Sequence, residues 1–272
     1  MPGAMAAGTP RKPATVAVPD TGRYYWVELA GIVAWVGLFA WALWRLVPAV
    51  VENPFWAVAM VMSGYVAADF LSGFVHWAGD TWGSYQTPVV GKALISGFRD
   101  HHVDELGITR HDPVDTNGNN CLIALPAMVF LVVVPIGNPW VDGLSGFLLM
   151  TAMWTMVTNQ IHKWAHLPPE KLSPFLRMLQ RSRIILDPDH HRLHHAEPYL
   201  SHYCITVGWL NPVLDGLGFF RGMEKAIQAV TGAVPRAANG EAEEFGVFGE
   251  SIIPAIVESE PETRASRTVA GG

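Results

Sequence analysis

The eleven histidines of this chain all lie between positions 76 and 202, and they come in sets. His76 and Asp80 are four residues apart, as are His162 and His166. His101 and His102 are adjacent, and His190, His191, His194 and His195 fall within six residues. Side chains three or four apart share one helical face, so His162/His166 and His191/His195 can each aim two imidazoles at one place. A neutral imidazole binds a cation without burying a negative charge, so several converging rings imply metal. Four would satisfy one zinc ion; eight or more with a carboxylate point to two ions with open positions. Iron suits such an imidazole-rich site and can activate O2. No side chain removes hydrogen from an unactivated C–H bond, so a lipid-modifying enzyme would need such a metal. Lone histidines are more often structural, and His111 and His202 are set aside on that ground, while His190 neighbours the run. Asp80 either binds metal or orients a ligand through a hydrogen bond.

The elements that must position these rings read as membrane helices. Half of the 272 residues are hydrophobic and 15% are charged, against about 25% in a typical soluble domain. The apolar residues fall in blocks, predicting spans at Trp26–Val47, Pro54–Trp77, Cys121–Ile136 and Pro139–Ile161. The hydrocarbon core needs about 20 apolar residues, so the third span, with Pro126 inside it, is marginal. Arg11, Lys12 and Arg23 precede the first span, and Lys92, Arg99 and Arg110 lie in the long loop after the second. The positive-inside rule then puts both termini and that loop in the cytoplasm, with Arg45 an exception able to snorkel. This topology, reached without the histidines, brings all their sets to one membrane face. The fold class expected is all-α: a polytopic membrane protein with four transmembrane helices and a cytoplasmic histidine-rich di-metal region.

The remaining features narrow the function. A net charge of −6 gives no support to nucleic-acid binding, and the widely separated Cys121 and Cys204 form no CxxC pair. Ser173-Pro174 predicts a helix start, followed by apolar residues interleaved with Arg177, Arg181 and Arg183. That helix lies in the membrane interface or packs on the protein's own cytoplasmic part. Asp187-Pro188-Asp189 breaks it and caps another beginning near His190. The domain organisation expected is a disordered tail over 1–23, a membrane domain over 24–235 and a second disordered tail over 236–272, both tails being rich in Ala and Gly.

Four strings carry a family resemblance: DFLSGFVHWAGDTWGS (Asp69–Ser84), FRDHHVDELGITRHDPVDTNGNNC (Phe98–Cys121), NQIHKWAH (Asn159–His166) and HHRLHHAEPYLSHYCITVGWLN (His190–Asn211). Over about Trp56 to Pro235 the chain resembles the Kua/CarF-type lipid desaturases, whose best-known activity is plasmanylethanolamine desaturation. The family pattern of H-x3-D, HH, H-x3-H and H-x2-HH falls on His76 and Asp80, His101 and His102, His162 and His166, then His191, His194 and His195. His111, His190 and His202 fall outside it. Where animal-type members read R-H-D-F, this chain has Arg110-His111-Asp112-Pro113.

The resemblance implies two iron ions, O2 as co-substrate, and conversion of a 1-O-alkyl ether phospholipid to its vinyl ether. It implies an external electron donor, cytochrome b5-like or ferredoxin-like, docking on the cytoplasmic face, and the sequence shows neither GxGxxG nor CxxCH. A fatty-acyl desaturase or hydroxylase on the same centre is the rival within enzymes. A metal transporter or sensor is the rival outside them, since Asp69 lies within the second span; transporters, however, place polar ligands near the midplane. The lysine-poor, Ala/Gly/Val-rich composition favours a bacterial inner membrane, with the endoplasmic reticulum expected for a eukaryotic chain.

Overall fold

The computed structural model describes residues 25–88 and 90–236, so the expected terminal tails lie essentially outside the described residues. The chain is helical, and among the described residues it forms no strand. Four helices are long and apolar enough to cross a membrane: α1 (Tyr25–Glu52), α2 (Pro54–Thr81), α4 (Pro113–Val133) and α5 (Pro139–Ala165). Between α2 and α4 a short π-helix (Gly91–Ile95) leads into α3 (Ser96–Val103). After α5 come α6 (Pro174–Arg181), α7 (Pro188–His191), α8 (Asn211–Gly216) and α9 (Phe219–Thr231).

The first, second and last spans begin within a residue of their expected positions; α4 does not. It starts at Pro113, eight residues before the apolar stretch at Cys121, because Asp112 caps it. The Asp112 carboxylate accepts from the amides of Val114 (2.7 Å) and Asp115 (3.0 Å), and Pro113 at the first helical position sacrifices no hydrogen bond. Here lies the Pro of the R-H-D-P string, a helix-starting residue. The polar first turns of α4 are accommodated by neighbours: Asn117 donates to Gln160 Oε1 (3.5 Å), and Asn120 to the Thr155 carbonyl (2.9 Å). At its other end α4 stops before Pro135, and Arg45 of α1 donates to the carbonyls of Leu131 (2.8 Å), Val132 (2.6 Å) and Val134 (2.7 Å). Those carbonyls have no partner within their own helix, so Arg45 is occupied as a cap.

Within the bundle α1 packs along α4 and α2 along α5, with α4 against α5. Two glycines of α2 permit close approach. At Gly64 a Cβ would fall 2.7 Å from the Thr151 amide nitrogen on α5. At Gly73 it would fall 3.1 Å from the Cys204 nitrogen and 3.2 Å from its Cα. The second contact seats the segment after α7 directly on α2. Gly73→Val is expected to destabilise the protein by about 1–3 kcal/mol through overpacking, read as a lowered thermal unfolding midpoint in detergent; an unchanged midpoint would refute that close contact.

The same segment is fastened by Asp69, which is fully buried. Its carboxylate accepts from the amides of Val207 (2.8 Å), Gly208 (2.8 Å) and Leu210 (3.2 Å). This intramembrane carboxylate is thus spent on the chain's own backbone, which removes the feature that favoured a transporter. Helix α6 uses both its faces: Leu176 and Leu179 pack on Ile161, Ile185 and Leu186, while Phe175 and Met178 are exposed. Ser173 caps it through the Leu176 amide (3.2 Å), as the sequence signal predicts.

Candidate metal centre

The C-terminal ends of α2, α3 and α5 meet at one end of the bundle, and the segment from α7 to Tyr203 closes over them. On α2 the i, i+4 spacing turns His76 and Asp80 to the same side. Residues 101 and 102 are neighbours on α3, so their side chains point about 100° apart, and each serves a different group. His162 and His166 close the last turn of α5. Asp187 caps α7 by accepting from the Asp189 amide (2.7 Å), which sets the turn that carries His191, His194 and His195.

All nine sequence-predicted site residues are brought together, in two groups able to hold a metal ion. One comprises His101, His162, His166, His191 and His195; the other comprises His76, Asp80, His102 and His194. Within each group the candidate ligand atoms lie within 4.8 Å of one another. The groups adjoin: the rings of His102 and His195 are 5.3 Å apart, and those of His76 and His162 are 6.3 Å apart. The remaining histidines stand outside. His111 faces Asp115 (3.5 Å), His190 accepts from Asn211 Nδ2 (3.0 Å), and His202 faces Asp215 (3.2 Å).

The residues fit metal on chemical grounds. In the first group His191 Nε2 lies 2.9 Å from His162 Nε2, 2.9 Å from His166 Nε2 and 3.0 Å from His195 Nε2. His166 Nε2 is also 3.0 Å from His101 Nε2 and 3.2 Å from His162 Nε2. A ring nitrogen carries one proton or one lone pair, so this many mutual contacts cannot all be hydrogen bonds. A cation between the nitrogens would satisfy them together. In the second group Asp80 Oδ2 sits 3.2 Å from His102 Nε2, 3.5 Å from His76 Nε2 and 3.6 Å from His194 Nε2. The buried Nε2 atoms of His76 and His194 have no hydrogen-bond partner, although buried polar atoms ordinarily find one.

Two backbone carbonyls fix the tautomers of this second group. His194 Nδ1 donates to the Ser201 carbonyl (2.8 Å) and His76 Nδ1 to the Tyr203 carbonyl (3.2 Å). The proton is thereby held on Nδ1 and the Nε2 lone pair is turned toward Asp80, the arrangement by which ligand histidines are oriented. Burial also favours the neutral form of five of these rings, His101, His166, His191, His194 and His195. It pushes His101 and His191 well below the usual imidazole range, reinforced by neighbouring histidines. Burial takes His166 down to about 4 and His195 to about 3, again with help from nearby rings. His194 is pushed to about 3 by burial, against the pull of Asp80. Neutral rings at pH 7 need lose no proton to bind metal.

Sequence spacing does not reveal the supporting contacts. The Ser201 and Tyr203 carbonyls carry no residue signature. The ring of Tyr199, 4.6 Å from that of His102, and Glu105, 3.5 Å from His195 Nδ1, belong to no recognisable pattern.

Fold and site together define a helical membrane protein with a buried two-part histidine centre at one end of its bundle. The family model described as the lipid desaturase domain matches residues 65–238, and the chain belongs to that family. It is therefore an enzyme, an oxidoreductase of the lipid desaturase kind. It is 49% identical over 211 residues to the plasmanylethanolamine desaturase of Myxococcus xanthus, covering 77% of this chain and 74% of that protein. It is 42% identical over 211 residues to plasmanylethanolamine desaturase 1 of Mus musculus, covering 74% and 73%. Chloroplastic fatty acid desaturase 4 of Arabidopsis thaliana is 35% identical over 176 residues, covering 64% and 53%. No solved structure matches the chain.

Proposed function

We propose that this protein is an O2-dependent desaturase that converts a 1-O-alkyl ether phospholipid, plasmanylethanolamine, to its vinyl ether at a histidine-held di-iron centre. The observation that carries this reading is the gathering of eight histidines and Asp80 into two adjoining groups in a chain 49% identical to a plasmanylethanolamine desaturase. His101, His162, His166, His191 and His195 would hold one ion, and His76, Asp80, His102 and His194 the other. When bound, the irons supply the O2 activation and C–H cleavage that side chains cannot. The overall change removes one hydrogen from each of two adjacent carbons next to the ether oxygen. With O2, two electrons and two protons, it yields the alkene and two waters.

The residues themselves bind, orient and exclude water. Five of the histidines are at most 8% exposed, namely His76, His101, His162, His191 and His194, so the centre is shielded at its base. The Ser201 and Tyr203 carbonyls hold protons on His194 and His76 at the nitrogens turned away from the centre. Electrons come from a separate donor, cytochrome b5-like or ferredoxin-like. From the loop charges described above we place the centre, the donor site and both termini on the cytoplasmic side. The lysine-poor, Ala/Gly/Val-rich composition favours a bacterial inner membrane, with the endoplasmic reticulum expected for a eukaryotic chain.

A plasmalogen-free cell expressing the chain and fed an alkyl-ether lipid is expected to accumulate acid-labile vinyl ethers. Absence of such products from a membrane-inserted, iron-loaded protein supplied with electrons would end the proposal. The likeness to fatty acid desaturase 4 favours one second reading, an acyl-chain desaturase. Acid-stable alkenes in the same lipid extract would select it.

A further inference from the structure

The segment from Tyr199 to Tyr203 touches three of the four members of the second group. Its Tyr199 ring lies 4.6 Å from the His102 ring, its Ser201 carbonyl accepts from His194 (2.8 Å), and its Tyr203 carbonyl accepts from His76 (3.2 Å). Two of its residues adopt left-handed backbone conformations that non-glycine residues avoid: Tyr199 at φ 63° and His202 at φ 60°. Such backbone persists only where surrounding contacts impose it.

At His202 the backbone amide is held by a contact from α8. The Asp215 carboxylate accepts from the His202 amide (3.1 Å), and the same oxygen lies 3.2 Å from His202 Nδ1. His202 Nδ1 also lies 2.9 Å from Ser201 Oγ. Beyond it, Cys204 is bracketed by Asn211, whose side chain accepts from the Cys204 amide (2.8 Å) and donates to its carbonyl (3.0 Å). Asp215 thus grips the residue between the two carbonyls that orient His194 and His76, while belonging to neither candidate ligand group.

We infer that Asp215 is a positioning residue for the second metal: by holding His202 in its left-handed conformation it fixes the Ser201 and Tyr203 carbonyls, and through them His194 and His76. This rests on the di-metal reading above. The carboxylate acts through the backbone, so the His202 side chain is dispensable where its backbone shape is preserved. Losing a partner that orients a metal ligand typically costs about 10- to 100-fold in metal affinity.

The test is ferrous iron titration of the purified full-length protein in detergent under anaerobic conditions, with bound metal counted per chain. Wild type is expected to bind two ions; fewer than two would defeat the di-metal reading itself. Asp215→Ala should keep one site at wild-type affinity and weaken the other by about 10- to 100-fold. Asp215→Asn, which retains an acceptor for the His202 amide, should lose much less. His202→Gly, in which φ near 60° is unstrained, should bind both ions. The double variant Asp215→Ala with His202→Gly should recover part of the lost affinity. Two ions at wild-type affinity in Asp215→Ala overturn the inference, as does equal weakening of both sites. Should Asp215→Ala fail to fold, His202→Gly decides alone, and loss of its second ion overturns the backbone role.

Discussion

Replacing His191 or His162 by alanine is expected to abolish desaturation, by about 1000-fold or more, while the protein still inserts in the membrane. His191 Nε2 lies within 3.0 Å of three other ring nitrogens of its group, so its removal empties the middle of the set rather than its edge. His162 occupies the matching place at the end of α5, with ring contacts to His101, His166 and His191 between 4.6 and 5.0 Å. A 1000-fold loss corresponds to about 4 kcal/mol of transition-state stabilisation, a scale suited to loss of the group that performs the chemistry. Vinyl-ether release per membrane-inserted chain is the measurement. Full activity in either variant would remove that residue from the centre. His202→Ala is the control: its amide still reaches Asp215, so the change should matter far less.

Asp80→Ala should be comparably severe, with a more specific signature. Asp80 is the single carboxylate in either group, and Oδ2 is within 3.6 Å of three Nε2 atoms. Removing it leaves His76, His102 and His194 facing one another without a counter-charge, so the second ion should be lost while the five-histidine group keeps its own. On the proposed two-ion reading, turnover should fall to background with that loss. Asp80→Asn retains the shape without the charge and should fall between the extremes in iron affinity. Metal counting beside product assay checks both. An Asp80→Ala protein holding two ions and turning over normally would show that this carboxylate lies outside the centre.

Much of this was legible in the sequence, and the exceptions have physical causes. Three spans could be read directly because their apolar runs coincide with their helices. α4 was misread at its start because hydropathy registers Thr116, Asn117, Gly118 and Asn120 as loop. Asn117, Gly118 and Asn120 face Gln160, Glu28 and Thr155 inside the bundle, and the Thr116 hydroxyl donates to the Asp112 carbonyl (2.7 Å). The Asp112-Pro113 cap was present as a signal, but its strength lies in two amide hydrogen bonds that only the folded turn displays. The gathering of the nine site residues followed from spacing, topology and motif together. Their division followed from none of these. It depends on the rotation of α3, which sends His101 to one group and His102 to the other, and on the tight turn that separates His194 from His191 and His195. Backbone partners such as the Ser201 carbonyl lie beyond sequence reading, because any residue can offer that atom.

The meeting of the C-terminal ends of α2, α3 and α5 has an electrostatic consequence. Aligned peptide dipoles leave roughly half a unit of negative charge at each helix carboxyl end. Three such ends directed at one place attract cations without adding carboxylates, which accords with a single aspartate among nine candidate ligands. The counter-charge is then diffuse and carried by the last backbone carbonyls of three helices rather than by ionised side chains. On the proposed di-iron reading, a hydrocarbon chain would then meet cations that are not ringed by ionised acids.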